Sequence, residues 1–287
     1  MSELTLLRVL LLLAMAMGPL GTHRFFFAEP SRLRVRAHLG ALACAALGLI
    51  LDAPFLCVVW LLFCAASFAS FLRERARDGA VSMRSPEVLA ACVPFLFSNV
   101  AAVWLVGGAN DLRILGYGTT FSYYAALHGN VLGWVLVGAL AVLAHRGGPH
   151  RGIYLASVLV CLVSFLAIAV GIDQLRALKP IGVVGLSLAL PASQLAFLHG
   201  VWSRNRSAFA LGSVSLAGLG CTMVLAWQNE LAMPAFLTIA GIHGMVSVHG
   251  TLNALVVAPC FLAAVTLSVA QGGRELPMLA ESPERVR

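Results

Sequence analysis

A chain of 287 residues in which 60% are hydrophobic and only 11% are charged carries too little polar surface to cover a water-soluble globule. The formal net charge of +7 does not indicate a nucleic-acid partner, because the basic residues lie in short segments between apolar runs and not on one solvated face. The seven cysteines all lie inside apolar runs without a CxxC pair, which indicates neither a disulfide framework nor a zinc site. Composition therefore predicts an all-α protein, a polytopic transmembrane helical bundle.

Apolar runs of membrane-spanning length recur along the whole chain and predict about nine spans. In chain order they cover 5–21, 38–53, 54–72, 87–107, 121–145, 152–171, 180–200, 208–227 and 234–270. Together they form a single transmembrane domain over residues 1–272, followed by a polar tail at 273–287 that we expect to be disordered and cytoplasmic. The number falls to eight if the first run is a cleaved signal peptide. Glu3 lies before Arg8, and this weak early positive charge favours a retained helix.

Two spans differ from a simple crossing. The second is short enough to be re-entrant and joins the third at "LDAP", where Asp52 and Pro54 predict a turn. The ninth contains 37 residues, which is too many for one crossing. Its glycines at 241, 244 and 250 allow a break, so we expect a short helix entering at an angle before the crossing proper.

The basic residues alternate from one connecting segment to the next. The segments after spans 1, 3, 5 and 7 hold twelve arginines, whereas those after spans 2, 4, 6 and 8 hold only Arg113, Arg176 and Lys179. Basic residues favour the cytoplasmic side of the membrane. The alternation therefore predicts a multi-pass protein of the inner (plasma) membrane, with its amino terminus outside and its carboxyl tail in the cytoplasm.

Polar side chains inside the spans concentrate in the half that this orientation places outside. "FSYYAALHGN" opens the fifth span and "GIHGMVSVHGTLN" lies in the ninth. Within the ninth span His249 and Asn253 are four residues apart, so they share a helix face. On a continuous helix His243 lies about 120° around the axis from His249, and a break at the glycines would let it turn toward the same side.

Such residues have two interpretations. Buried histidine and asparagine often only hold neighbouring helices together, at about 1–2 kcal/mol or less each. The set exceeds what two helices need for adhesion, and ionisable residues within a membrane indicate a functional site. We predict a cavity whose catalytic residues are His249, Asn253, His128, Asn130 and His243 and whose substrate-binding residues are Tyr123, Tyr124, Asn99, Gln194 and Glu230. His199, at the inner end of the seventh span, is a weaker candidate.

Three stretches resemble the YndJ-like family of bacterial membrane proteins. They are the early "GPLG", the aromatic and polar "FSYYAALHGN" and the late "MVSVHGTLNAL". The resemblance implies a multi-helix membrane protein with an HG-x-x-N-A element near its carboxyl end, here His249, Gly250, Asn253 and Ala254. An aromatic-flanked histidine pair associated with the family is replaced here by "SYYAALHGN". The family is often labelled as a transporter family.

Three classes of function remain. An intramembrane isomerase or cyclase could use neutral histidine to move a proton and asparagine to hold an oxygen of a lipophilic substrate, such as a polyketide or an isoprenoid. No cofactor motif appears in the sequence, so we expect no cofactor and no metal, and only the small molecule and membrane lipid as partners. The sequence leaves the oligomeric state open.

The second class is a transporter or exporter of a small lipophilic molecule, which would favour internal repeats and broken helices in matching halves. The sequence contains one helix that we expect to be broken and no clear repeat. The carboxylates Asp52, Asp111, Asp173 and Glu230 all fall at helix ends. The third class is a metal or haem protein, for which imidazole is a suitable ligand. The spacing of the histidines matches no recognised ligand pattern. These arguments place the enzyme slightly ahead of the transporter.

Overall fold

The structure is a computed structural model that describes residues 2–27, 31–78, 84–172, 174–231, 238–239 and 241–271, excluding the side chains of 19–24, 78, 243 and 271. Its helices are α1 Glu3–Phe26, α2 Arg32–Ile50, α3 Cys57–Asp78, α4 Pro86–Ala109, α5 Thr119–Arg146, α6 Arg151–Gly171, α7 Leu178–Val201, α8 Arg206–Glu230 and α9 Met245–Ala270. Short 3₁₀ turns occupy Pro54–Leu56 and Ile114–Gly116.

The predicted helical membrane bundle is confirmed. Among the residues that the structure describes, the eight helices α2 to α9 are long and apolar enough to cross a membrane. The helix α2 starts six residues before the predicted second span and reaches 19 residues, which is sufficient for a crossing. Its early start follows from Ser31, whose side chain accepts a hydrogen bond from the backbone N–H of Arg34 and caps the helix. The exact number of crossings stays a prediction.

The turn predicted between the second and third spans is confirmed. Asp52 has a positive φ of 49° and Pro54 opens a 3₁₀ turn. Asp tolerates this left-handed backbone conformation better than most residues, because its short side chain can bond locally. The helices α2 and α3 therefore form a tight hairpin.

Helix α5 is the centre of the bundle and is buried along nearly its whole length. It packs against α1, α4, α6 and α9. Its approach to α4 is close because Gly129 and Gly133 lack side chains: a Cβ on Gly133 would lie 2.1 Å from the Phe97 ring. Small residues allow such close helix contacts in membrane proteins. The order of the remaining contacts places α6, α7 and α8 side by side around one flank of α5 and α9.

Helix α1 contributes to the core. Leu7, Leu11, Ala14 and Met15 have no exposed surface, and the helix contacts α2, α5 and α9. Loss of α1 would therefore expose this face of α5 and α9.

The ninth predicted span differs from expectation before its crossing. Thr238–Ile239 (β1) and Ile242–His243 (β2) form a two-residue antiparallel ribbon, so the short helix expected there is wrong for these described residues. Gly241 in the turn has a φ of 77°, a conformation that glycine adopts without strain. The glycines do mark the break that was expected, because the spanning helix begins only after Gly244. Residues 232–237 lie outside the described residues.

Candidate functional site

A cavity of about 590 Å³ lies between α5 and α9 on one side and α6, α7 and α8 on the other. The first turn of α1 and one residue of α4, Trp104, complete its wall. Most of its lining is apolar, and its polar residues are Glu3, Tyr124, His128, Lys179, Thr222, Asn229, Glu230, His249 and Asn253. The structure thus brings together five of the predicted site residues, namely Tyr124, His128, Glu230, His249 and Asn253.

Two of these residues, one on α5 and one on α9, face each other. The imidazole rings of His128 and His249 stack with their centroids 5.9 Å apart and an interplanar angle of 29°. His249 is buried, with 8% of its surface exposed. Two histidines that are 121 positions apart in the sequence therefore form one stacked pair of rings.

Backbone carbonyls determine the tautomer of both rings. Nδ1 of His128 lies 2.9 Å from the backbone oxygen of Tyr124, and Nδ1 of His249 lies 2.9 Å from the backbone oxygen of Thr222. A carbonyl oxygen only accepts hydrogen bonds, so each Nδ1 must carry the proton. In the neutral rings both Nε2 atoms therefore hold a lone pair, and neither has a hydrogen bond to another described residue.

Both histidines lie at widened turns of their helices. Residues Gly129–Leu136 of α5 and Met245–Gly250 and Asn253–Val257 of α9 have π-helical backbones. At the ends of two of these segments Val137 N–H donates to Leu132 O and Ala258 N–H donates to Asn253 O, five residues back. Such π-helical turns are rare and occur frequently at functional sites. They directly follow His128 and include His249 and Asn253.

One end of the cavity carries charged residues. The hydroxyl of Tyr124 donates to Oε1 of Glu3 at 3.1 Å, which links α5 to the first turn of α1. Nζ of Lys179, at the start of α7, lies 2.7 Å from Oε2 of Glu230 at the end of α8. Asn229 lines the wall beside this ion pair. The charges lie at the helix ends and the two imidazoles lie deeper along α5 and α9.

Four other predicted site residues, Asn99, Asn130, Tyr123 and Gln194, do not line this cavity. Asn99 donates to the backbone oxygens of Phe95 and Cys64, which joins α4 to α3. Asn130 donates to Ala126 O within α5. Tyr123 packs beneath the Arg8 guanidinium, and Gln194 is buried in α7. The side chain of His243 lies outside the described residues.

Helical angles account for part of this separation. Tyr123 and Tyr124 are about 100° apart on a helix, and Asn130 is about 200° from His128. Tyr124 and His128, four residues apart, share the face that lines the cavity. This signal was present in the sequence and separates Tyr123 and Asn130 from the site. His199 lies at the opposite end of the bundle, where its Nδ1 is 3.1 Å from Nε2 of His150.

Four polar lining residues were not predicted: Glu3, Lys179, Thr222 and Asn229. The sequence did place Glu3, Lys179 and Asn229 at span ends, and the charged end of the cavity lies at these helix ends. Thr222 carries no such signal, since its role is to present a backbone oxygen to His249. Among the residues that the structure describes, no three His, Cys, Asp or Glu side chains cluster as a metal site would require.

Comparison with known families identifies the chain. The family model described as YndJ-like protein matches residues 8–257. The chain belongs to the YndJ-like family. No curated protein and no solved structure matches the chain at a significant level. The YndJ-like match includes both histidines of the cavity and Asn253, whereas Glu3 lies before it.

Proposed function

We propose that this YndJ-like protein is an enzyme of the plasma membrane that isomerises or cyclises a lipophilic small molecule by acid–base chemistry without a cofactor. The observation that carries the proposal is the stacked pair of imidazoles, the partly buried His128 and the buried His249, each held by a backbone carbonyl through Nδ1 so that Nε2 remains available. The volume and apolar wall of the cavity suit a small lipophilic molecule.

The proposed chemistry is a proton shift within one molecule. Nε2 of His249 takes a proton from a carbon beside an electron-withdrawing group, and the electron pair of that C–H bond moves onto the group. The imidazolium then returns the same proton to a second atom, so the product is an isomer and the enzyme is unchanged. An amide N–H of Asn253, one turn along α9, stabilises the developing negative charge on oxygen.

His128 would support this step through its position. Its ring stacks on that of His249, so its own unprotonated Nε2 lies close to the base and can accept a hydrogen bond that orients the substrate. The carbonyl of Tyr124 prevents rotation of the ring during the transfer.

The test begins with the molecule that copurifies with the protein. Native mass spectrometry of detergent-purified protein should identify a lipophilic ligand, and the wild type should convert it to an isomer. His249→Gln keeps an N–H that can donate to Thr222 O but lacks a base, so turnover should fall by about 10²–10⁴-fold while the melting temperature changes little. His199→Ala, a histidine substitution at the far end, should leave turnover unchanged.

Two results would contradict the enzyme proposal. One is release of the ligand unchanged after prolonged incubation with the wild type. The other is stoichiometric metal by elemental analysis or a haem band in the absorption spectrum, because the imidazoles would then be ligands.

A transporter of a small lipophilic molecule is the second candidate. Two carboxylates that proton coupling could use, Glu3 and Glu230, line the cavity together with the histidines. The widened turns of α5 and α9 at one depth also resemble the interrupted helices that form transporter sites. Ligand efflux from proteoliposomes driven by a proton gradient, with no chemical change in the ligand, would favour this candidate over the enzyme.

A further inference from the structure

We infer that the cavity binds a lipophilic molecule that bears a protonated amine, held between the Glu3 carboxylate and the aromatic wall beside it. This inference specifies the ligand class of the site proposed above and rests on that proposal only in taking the cavity as the ligand site. It applies equally if the molecule is transported.

The lining of the cavity offers more hydrogen-bond acceptors than donors. The two Nε2 atoms of His128 and His249 are acceptors in the neutral rings, since each Nδ1 carries the proton. The donors beside them are already used: the Tyr124 hydroxyl donates to Glu3, and the Thr222 hydroxyl donates to Leu219 O. Further donors come only from the amides of Asn229 and Asn253, which also bring acceptors, and from the Lys179 ammonium, which is paired with Glu230.

The lining of the cavity also carries more negative than positive charges. The cavity is lined by the carboxylates of Glu3 and Glu230 and by one ammonium, that of Lys179. Lys179 is paired with Glu230 at 2.7 Å, so this pair is neutral as a whole. Glu3 has only the neutral Tyr124 hydroxyl as a partner among the described residues. A carboxylate in an apolar surrounding favours a cation, which restores the interaction energy lost with water.

Aromatic rings line the same cavity as this carboxylate, and one of them, Tyr124, contacts it directly. Trp104, Phe121 and Tyr124 all line the cavity, and the rings of Trp104 and Phe121 pack edge to face with centroids 5.6 Å apart. Tyr117 stacks behind Phe121 at 3.9 Å and holds it in place. Aromatic faces attract ammonium groups, and more strongly where water is excluded. An acidic group next to aromatic rings therefore suits an organic ammonium better than a carboxylate or a neutral hydroxyl.

The experiment compares three rigid probes of nearly equal shape: adamantylmethylamine, adamantylmethanol and adamantanecarboxylate. Calorimetric titration of the full-length protein in nanodiscs at neutral pH, with empty nanodiscs subtracted, should show the amine binding about tenfold or more tightly than the alcohol. Glu3→Gln should reduce the preference for the amine to about twofold or less. The matched variant Glu87→Gln, which removes a carboxylate paired with Arg151 at the opposite end, should retain it.

The comparison of probes on the wild type requires no variant, so it stands even if Glu3→Gln lowers stability. Equal binding of amine and alcohol, or tightest binding of the carboxylate, would overturn the inference. An amine preference that survives in Glu3→Gln would overturn it as well. His249→Gln should lose turnover and still prefer the amine. Turnover of this variant tests the proposed chemistry, whereas its preference among the probes tests the ligand class, so the two proposals can fail separately.

Discussion

At the scale of single residues, the partner of each polar side chain decides whether it belongs to the site or to the packing. His128 and His249 use one nitrogen for a backbone oxygen and leave the other toward the cavity. Asn99 instead uses its amide on backbone oxygens of two helices. Histidine and asparagine are both polar, so residue type and position along a predicted span could not distinguish these two roles.

This difference leads to a prediction for two asparagines. Asn99→Ala removes the hydrogen bonds that join α4 to α3 and should lower the free energy of unfolding by about 0.5–2 kcal/mol, with ligand binding unchanged. Asn253→Ala should weaken ligand binding or turnover at least tenfold with a smaller loss of stability. Thermal unfolding in detergent and calorimetric titration of both variants measure these effects. If Asn99→Ala weakened ligand binding as much as Asn253→Ala does, Asn99 would belong to the ligand site after all.

At the scale of elements, the π-helical turns and the glycines position the histidines. The close contact of α5 with α4 brings the first of these turns to the centre of the bundle. Residue propensity does not reveal a π-helical turn, because it is stabilised by tertiary contacts and not by local preference. The sequence therefore predicted the helices of α5 and α9 but not the widened turns at their polar residues.

The glycine contact can be tested by adding one methyl group. In Gly133→Ala the new Cβ would lie 2.1 Å from Cγ and 2.3 Å from Cβ of Phe97, so the backbones of α4 and α5 must move apart. Such overpacking should cost about 1–3 kcal/mol of stability. Gly40→Ala, at a position in α2 with no atom within 4 Å of the new Cβ, is the matched control and should leave the melting temperature nearly unchanged. Equal melting temperatures for the two variants would show that α4 and α5 pack less closely than described.

At the scale of the whole molecule, the charged residues of the cavity lie at the end of the bundle where α1 starts. That end carries Glu3, Lys179 and Glu230, whereas the opposite end carries arginines such as Arg146, which donates to the backbone oxygens of Ser268 and Val269 in α9. The alternation of basic residues predicts that the arginine-rich end is cytoplasmic. Under this predicted orientation the charged end of the cavity lies on the outer side of the membrane.

Cysteine labelling tests this orientation. A membrane-impermeant maleimide applied to intact cells should label Arg113→Cys, between α4 and α5, and should label Arg204→Cys, between α7 and α8, only after the membrane is permeabilised. Each substitution is made in a background without the seven native cysteines. Labelling of Arg204→Cys in intact cells would reverse the orientation and place the charged end of the cavity on the cytoplasmic side.

The sequence by itself determined the class of fold, the approximate positions of the helices and the polar content of the fifth and ninth spans. These features depend on composition and on apolar runs, which are local properties of a chain. Only the tertiary structure decided that Glu3 meets Tyr124, that His128 stacks on His249 and that Asn99 and Gln194 lie apart from them. The reason is that contacts between helices depend on close packing at glycine and on the rotation of each helix about its axis. The widened turns change this rotation, and no local sequence pattern reveals them.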